Sequence, residues 1–458
     1  MCKRTTFWAP LKKSLTFMLI AILLAVGAWT PTAKAATSAQ ITAAIQAGLA
    51  DLAGLQQAGG NWNYSSYPDA ATAASVFAFL NSKASWPPAQ VAAYNTAVAN
   101  GIAYLLADAT KVTNVSTRSD GFNVCPGGTG SCTGVYWYGN GETTYTTGIV
   151  VGAIDTYGLT LGAGAVATTS GPLAGMTWGQ IAQGISNAFA AAQSTIVNNP
   201  TYGYYGGWRY SIPGNGDSDS STTQWAVYSF IFDEALGATE PASTKTILQH
   251  WLTSVQYPSG SGANTGGVCY YAVSSGCGIG PTVSDTGGWL LANQWIGTAA
   301  SSATVQSAMS WLNTVWQTNG STAGSWLGNF NQPYAMLATY KGLETTIGTA
   351  ATTNITNLLP GTCGGNVTPP AVCNWYQDYE QWLVANQNAT TGAWAGSQDW
   401  TEPLSTAFDL TILGAASIPV PPPPTTVPVL SAVGIGVLAL LLGLAGFMAM
   451  RTRRAHSS

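Results

Sequence analysis

Two hydrophobic patterns alternate along residues 38–415, and each predicts a different kind of helix. In residues 244–256 the apolar side chains recur with a helical period and would share one face, while polar side chains occupy the opposite face. Residues 222–236 are apolar nearly all round, and so are the segments 149–154 and 289–296. An amphipathic helix buries one face, whereas an apolar helix is buried on every side. The pattern therefore predicts partly exposed helices paired with enclosed ones.

A glycine-rich turn with an aromatic residue separates the two kinds of helix and recurs six times. The glycines nearest the aromatic residues are Gly60, Gly121, Gly207, Gly267, Gly324 and Gly392, which gives steps of 61, 86, 60, 57 and 68 residues. A period of about 60 residues accommodates two helices and their connections. The aromatic residues of the turns are Trp62, Phe122, Trp208, Tyr270, Trp326 and Trp394, and the glutamines that close most of the preceding helices are Gln57, Gln193, Gln256, Gln317 and Gln387.

Polar residues that cap helix N-termini follow the turns and start the enclosed helices. Six pairs of one amphipathic and one enclosed helix predict an all-α fold, an (α/α)6 toroid whose inner ring consists of the enclosed helices. Every glycine-rich turn then joins the C-terminus of an outer helix to the N-terminus of an inner one, so the turns share one face. The acidic residues among the capping segments are Asp69, Glu142, Asp217, Asp219, Asp285 and Glu402.

The order of glutamine, Gly-Gly-x-Trp and helix cap resembles the repeat of prenyltransferases and squalene cyclases. The clearest copy begins at Gly206 and Trp208 and continues through the acidic segment to Trp225. The resemblance extends over about residues 38–415 and implies an α/α-toroid. It does not imply one activity, because proteins of the same fold carry out different chemistry.

Residues 1–35 have the three regions of a secretory signal peptide. A basic segment precedes an apolar run over residues 15–29, and Ala33-Lys34-Ala35 is a small-x-small cleavage site. The pattern predicts that the domain at residues 36–416 is exported. An uncleaved membrane anchor is the alternative.

A second apolar segment lies near the C-terminus. Residues 417–428 form a linker with four consecutive prolines, which favours an extended spacer. Residues 429–450 carry no charge and would form a transmembrane helix of about 33 Å, because each helical residue adds about 1.5 Å. The arginines in the tail, residues 451–458, predict that this end lies in the cytoplasm.

The motif at residues 427–431, the apolar span and the arginine tail together resemble the IPTL-CTERM and PEP-CTERM sorting signals of bacteria. This resemblance covers about thirty residues. It implies that a processing protease of the exosortase type cuts the chain, which then moves from the inner membrane to the cell surface. A plain single-span anchor is the alternative.

The distribution of charge excludes one class of partner. Only 7% of the residues are charged, and of 14 basic residues five lie at or before Lys34 and three in the C-terminal tail. The domain therefore holds 14 − 5 − 3 = 6 basic residues and all 18 acidic ones, a net charge of 6 − 18 = −12. Such a surface repels phosphate backbones, so we expect no nucleic-acid partner.

Six cysteines of the exported domain form three close pairs, and an even number in an exported protein favours disulfide bonds. Proximity predicts the bonds Cys125–Cys132, Cys269–Cys277 and Cys363–Cys373, each closing one loop. Zinc is the weaker alternative, because the pairs lack Cys-x-x-Cys spacing.

Four carboxylates near the starts of inner helices are candidates for acid–base catalysis: Asp217, Asp219, Asp285 and Glu142. The resemblance to triterpene cyclases implies an Asp-rich motif that protonates the substrate, and Asp217-Ser-Asp219 is the nearest match in this chain. Helix capping alone also explains these residues. A pair of carboxylates would equally suit a glycan-cleaving enzyme.

Two other chemistries of toroid proteins are disfavoured. Protein prenyltransferases hold zinc with Asp, Cys and His, whereas the domain has one histidine, His250. Complement-type thioester domains carry Gly-Cys-Gly-Glu-Gln, and Gly276-Cys277-Gly278 is not followed by the required glutamine. We therefore expect no metal and no cofactor.

Aromatic residues in the loops of the turn face are candidates for binding a carbohydrate or a small apolar ligand. The turn tryptophans are alternatively core residues, whereas the segment 136–138 lies outside the predicted repeat and is the better candidate. The sequence leaves open a binding or surface-matrix protein and an enzyme. The ligand-binding candidates are Tyr136, Trp137, Tyr138, Tyr204, Tyr205, Trp208, Tyr210, Tyr270 and Tyr271.

Overall fold

The computed structural model describes residues 35–195, 205–214, 216–273, 276–320, 327–359, 373–397 and 400–419. Twelve α-helices make up most of this part of the chain, and short 3-10 helices lie between some of them. The helices are α1 Ser38–Leu55, α2 Pro68–Asn81, α3 Val91–Asp108, α4 Thr143–Leu161, α5 Trp178–Ala192, α6 Ser220–Ala235, α7 Ala242–Val255, α8 Val283–Trp295, α9 Ala303–Val315, α10 Pro333–Ile347, α11 Trp375–Asn386 and α12 Leu404–Leu413.

Two small antiparallel hairpins accompany the helices, so the described fold is mainly α rather than all-α. The first pairs β1 (Thr110–Val115) with β2 (Cys132–Tyr136), and the second pairs β3 (Ala272–Val273) with β4 (Gly276–Cys277). Each hairpin contains a predicted disulfide bond, Cys125–Cys132 in the first and Cys269–Cys277 in the second. The bonds confirm two of the three predicted pairs, whereas Cys363 lies outside the described residues and its bond to Cys373 stays a prediction.

The even-numbered helices are enclosed and the odd-numbered helices are mostly half-exposed, as the hydrophobic patterns predict. Every residue of α6 from Ser220 to Asp233 is buried, and so is every residue of α12. In α7, by contrast, buried side chains recur on one face. The alternation follows from composition, because a helix that is apolar all round is stable only when neighbours cover it on every side.

The even-numbered helices contact one another in chain order. Helix α2 packs against α4, α4 against α6, α6 against α8, α8 against α10 and α10 against α12, and α12 returns to contact α2. The odd-numbered helices pack against members of this series: α3 contacts α2 and α4, α5 contacts α4 and α6, and α1 contacts α12 and α2.

Aromatic side chains fill the space between even-numbered helices that are not neighbours in the series. Phe77 of α2 packs edge-on against Phe232 of α6, with 5.8 Å between ring centroids. Trp225 of α6 stacks on Phe408 of α12 at 6.3 Å, and the Nζ atom of Lys341 lies 3.8 Å from the centroid of the Trp225 ring. The interior at this level is therefore packed with side chains.

The tryptophans of the first, third and sixth turns are core residues with a repeated set of hydrogen bonds. The backbone N–H of Trp62 donates to Thr72 Oγ1 at the start of the next helix, and its indole N–H donates to the Leu52 carbonyl of the preceding one. Trp208 and Trp394 make equivalent pairs of bonds. All three are at most 2% exposed.

The sequence analysis predicted that Trp137 lies outside the repeat and binds a ligand, whereas the structure shows it as a core residue. Its backbone N–H donates to Thr147 Oγ1, its indole N–H donates to the Leu105 carbonyl, and its side chain is fully buried. Trp137 is therefore the tryptophan of the second turn, in place of Phe122. The β1–β2 hairpin inserted before it displaced the motif along the chain and obscured the repeat.

The two ends of the chain lie outside the described residues. The predicted signal peptide, most of the linker, the span at 429–450 and the tail at 451–458 therefore remain predictions. Within the described part, none of the helices is both long enough and apolar enough to cross a membrane.

Candidate functional site

A cavity of about 390 Å³ lies where the N-terminal ends of α2, α4 and α12 meet. Its wall is mainly aromatic, with a few small polar groups and one carboxylate. The lining residues are Tyr64, Ser65, Tyr67, Ala70, Glu142, Tyr145, Thr146, Ile149, Tyr210, Trp400 and Leu404.

Loops that precede even-numbered helices bring these residues together. Tyr64 lies in the turn before α2, where Ser65 adopts a positive φ of 46°. Glu142 is the N-cap residue of α4. Tyr210 belongs to the turn before α6, and Trp400 precedes α12. Four separate repeats thus contribute to one wall, because these turns lie at the N-terminal ends of even-numbered helices.

The aromatic rings of the wall contact one another. Tyr145 stacks on Tyr210 with 5.8 Å between centroids and an interplanar angle of 24°. Tyr145 also lies 6.2 Å from Trp400, which stacks on Tyr334 at 4.6 Å and 14°. Rings held by mutual packing present a rigid surface, which lowers the entropy lost when a ligand stacks on them.

Several of the tyrosine hydroxyl groups are engaged within the protein. The Tyr145 hydroxyl donates to Ser221 Oγ at 2.6 Å, and the Tyr210 and Tyr270 hydroxyl oxygens lie 2.5 Å apart. Burial raises the pKa of Tyr145 well above that of an ordinary tyrosine, and the nearby Tyr334 and Asp219 raise it further. The phenol therefore stays protonated, so Tyr145 is suited to stacking and not to nucleophilic attack.

Two polar groups of the wall have no hydrogen-bond partner among the described residues. These are the hydroxyl of Thr146, a residue that is 1% exposed, and the indole N–H of Trp400. A buried polar group without a partner costs about 1–3 kcal/mol. Both atoms are closed to solvent, so they lie behind the surface of the wall.

Asp217 and Asp219 lie beside the cavity wall and do not line it. Asp219 Oδ1 accepts hydrogen bonds from the Thr222 N–H at 2.7 Å and from Ser221 Oγ at 2.6 Å, so Asp219 caps α6. Arg209 contacts both acids, Asp219 Oδ2 at 2.9 Å and Asp217 Oδ2 at 3.4 Å. Burial raises the pKa of Asp219, while the bond from Ser221 and the charge of Arg209 act in the opposite direction.

Asp285 is likewise buried outside the cavity lining. It lies in the first turn of α8, where Thr282 Oγ1 donates to its Oδ2 at 2.7 Å. Burial raises its pKa to about 7. Of the four predicted catalytic carboxylates, the structure therefore brings only Glu142 into the cavity wall. Among the described residues, no cluster of three His, Cys, Asp or Glu side chains is arranged to hold a metal ion.

The predicted ligand-binding aromatics are spread over several places. Tyr210 lines the cavity and Tyr270 lies directly behind it. Trp137 and Trp208 are fully buried in the core, so neither indole is available to a ligand. Tyr138 is 64% exposed and does not line the cavity.

The remaining aromatic candidates lie away from the cavity lining. Tyr136 is half-buried in β2, and the ring of Tyr205 packs edge-on against His250 at 5.2 Å. Tyr271 packs over Gly278 in the second hairpin. Tyr204 lies outside the described residues.

Four lining aromatics were missed by the sequence analysis: Tyr64, Tyr67, Tyr145 and Trp400. Tyr67, Tyr145 and Trp400 lie within three residues of Asp69, Glu142 and Glu402, and Tyr64 lies two residues after the turn residue Trp62. Position beside a turn or a capping residue was therefore the signal that could have found them.

No protein-family model matches the chain, and no curated protein sequence matches it. The function is therefore inferred from the cavity, its lining residues and the predicted ends of the chain.

Proposed function

We propose that the domain at residues 36–416 is an exported α/α-toroid that binds a carbohydrate in the aromatic cavity. The cyclic order of contacts among the even-numbered helices supports the toroid. The predicted signal peptide and sorting signal support display at the bacterial cell surface, where polysaccharides are abundant ligands.

The observation that carries the binding function is the composition of the cavity wall. Five aromatic residues, Tyr64, Tyr67, Tyr145, Tyr210 and Trp400, contribute to a volume of about 390 Å³. Ligand cavities typically enclose about 300–1,000 Å³, with a mainly apolar lining and a few polar groups that orient the ligand. Aromatic faces beside the Glu142 carboxylate suit a sugar, which has apolar C–H faces and hydroxyl groups at its edge.

The arrangement of carboxylates favours binding over glycan cleavage. Hydrolysis of a glycosidic bond ordinarily uses two carboxyl groups, about 5–9.5 Å apart, on either side of the bond. The described lining residues include one carboxylate, that of Glu142. The packed aromatic interior between Phe77, Trp225 and Phe408 also leaves little room for the deep cavity that a cyclase would need.

The first test is substitution of a lining aromatic. We expect Tyr64→Ala to weaken binding of a disaccharide by about tenfold, or about 1.4 kcal/mol, because one stacking surface is lost. Isothermal titration calorimetry of the full-length protein in detergent, with cellobiose and maltose as probes, measures the change.

Tyr138→Ala is the matched control, because this tyrosine also precedes an inner helix but is exposed outside the cavity. It should leave the affinity unchanged. The proposal fails if neither disaccharide binds, or if the two variants weaken binding equally.

A further inference from the structure

The cavity wall carries negative charge and, among the described lining residues, no basic side chain. Glu142 occupies the N-cap position of a 19-residue helix, where the helix dipole stabilises an ionised carboxylate. Glu142 and Tyr210 line the same cavity. Burial raises the pKa of Tyr210, and the charges of Asp219 and Glu142 raise it further.

The basic residues of the domain are placed elsewhere. Arg118 pairs with Asp120, and Lys245 pairs with Glu234 and Glu240. Arg209 is the basic residue next to the wall. Its guanidinium group pairs with Asp217 and Asp219 and lies over the Tyr210 ring, 4.8 Å from the centroid. The cavity thus combines a carboxylate with π-faces, and both attract a cation.

We propose that the carbohydrate bound in this cavity carries a protonated amino group, as in a deacetylated amino sugar. The inference rests on the proposed function and names its ligand class. The sugar ring stacks on the aromatic wall, and its ammonium group binds the Glu142 carboxylate.

The physical basis of the preference is the difference between a charged and a neutral hydrogen bond. An ammonium-to-carboxylate bond is stronger than a hydroxyl-to-carboxylate bond, and the low polarity of an aromatic wall strengthens it further. The ammonium group also gains a cation–π interaction with an aromatic ring of the wall, which a neutral hydroxyl group does not offer.

The test compares two sugars that differ only in this group. The β-1,4 disaccharide of glucosamine has ammonium groups where cellobiose has hydroxyl groups, and titration at mildly acidic pH keeps the amines protonated. We expect the full-length protein to bind the glucosamine disaccharide about tenfold more tightly than cellobiose. The preference should shrink as salt is added, because ions screen the interaction.

Glu142→Gln should make the affinities for the two disaccharides equal, since the amide keeps the shape of the side chain and removes its charge. Asp120→Asn makes the same change in net charge at a residue outside the cavity lining and should retain the preference. Equal affinities for the two disaccharides would overturn the inference while the proposed function stands. If neither disaccharide binds, the proposed function fails as well. A preference that persists unchanged in Glu142→Gln would also overturn the inference.

Discussion

In each of four repeats, the side-chain amide of one glutamine donates hydrogen bonds to two backbone carbonyl groups that belong to different segments. The Nε2 atom of Gln387 donates to the Gly392 carbonyl of its own turn at 2.7 Å and to the Ala44 carbonyl of α1 at 2.8 Å. The second bond spans 343 residues and connects the last repeat to the first. The other glutamines that bridge their own turn to the next odd-numbered helix are Gln56, Gln193 and Gln256.

In the first repeat the bridging residue is Gln56, whereas the sequence analysis identified Gln57. The Gln57 amide donates only to the Leu55 carbonyl at the surface. Adjacent glutamines are equivalent in sequence, and only the direction of each side chain from the end of α1 decides which one bridges.

Removing a bridging amide should destabilise the domain. Gln387→Leu removes two hydrogen bonds and leaves two carbonyl groups without them, so we expect a loss of about 2–3 kcal/mol in the free energy of unfolding. Chemical denaturation followed by circular dichroism measures the loss. Gln57→Leu is the control and should change stability by less than about 0.5 kcal/mol; similar losses in both variants would contradict a bridging role.

At the scale of elements, a turn glycine lets one repeat closely approach the odd-numbered helix of the next. Gly266 has a φ of +87°, and a Cβ atom there would lie 2.2 Å from the Ser307 carbonyl oxygen of α9. In the second repeat the glycine lies on the helix and the larger residue lies in the turn. Its turn has Val135 at the corresponding position, and the glycine is Gly184 on α5, where a Cβ atom would lie 2.7 Å from Val135 Cγ2.

Two glycine substitutions separate the loss of stability caused by a steric clash with α9 from the loss caused by a positive φ. Gly237 has a φ of +88° with no neighbouring atom within 4 Å of an added Cβ, so Gly237→Ala should cost only the backbone strain of about 1–2 kcal/mol. Gly266→Ala should cost about 1–3 kcal/mol more, because α9 must move away. Thermal unfolding of both variants measures the difference, and equal losses would show that the turn does not pack closely on α9.

At the scale of the whole molecule, buried carboxyl groups make the free energy of unfolding depend on pH. Asp155 of α4 and Asp233 of α6 are both fully buried, and Ser186 of α5 donates to Asp233 Oδ2 at 2.9 Å. Burial raises the pKa of Asp155 to about 7. Burial, followed by the charge of Asp155, raises the pKa of Asp233 well above its usual range. The folded protein therefore retains protons that the unfolded chain releases.

The direction of the pH effect follows from these raised pKa values. The unfolded carboxyl groups lose their protons near pH 3.8, whereas Asp155 in the folded state keeps its proton to about pH 7. The free energy of unfolding should therefore fall as pH rises through this window, by about 1.4 kcal/mol per pH unit for each retained proton.

Asp155→Asn should reduce this slope and raise stability above pH 7, because it removes one of the two buried acids. Urea denaturation at a series of pH values measures the slope. Asp120→Asn is the control, since the neighbouring Arg118 lowers the pKa of Asp120 and places its titration below this window. An unchanged slope in Asp155→Asn would contradict the assignment.

The sequence by itself determined the features that depend on near neighbours in the chain. Hydrophobic periodicity predicted the alternation of half-exposed and enclosed helices, and Cys125 with Cys132 and Cys269 with Cys277 predicted two disulfide bonds. Asp219 was recognisable as a helix cap. Periodicity, capping and short loops are local, because their partners lie within a few residues.

Only the tertiary structure decided where the cavity lies and which groups line it. Tyr64 and Trp400 belong to opposite ends of the described chain and meet because α12 packs against α2. The core position of Trp137 was hidden by an inserted hairpin, and the pairing of Asp155 with Asp233 joins two helices. These features depend on distances between repeats, which a one-dimensional pattern does not contain.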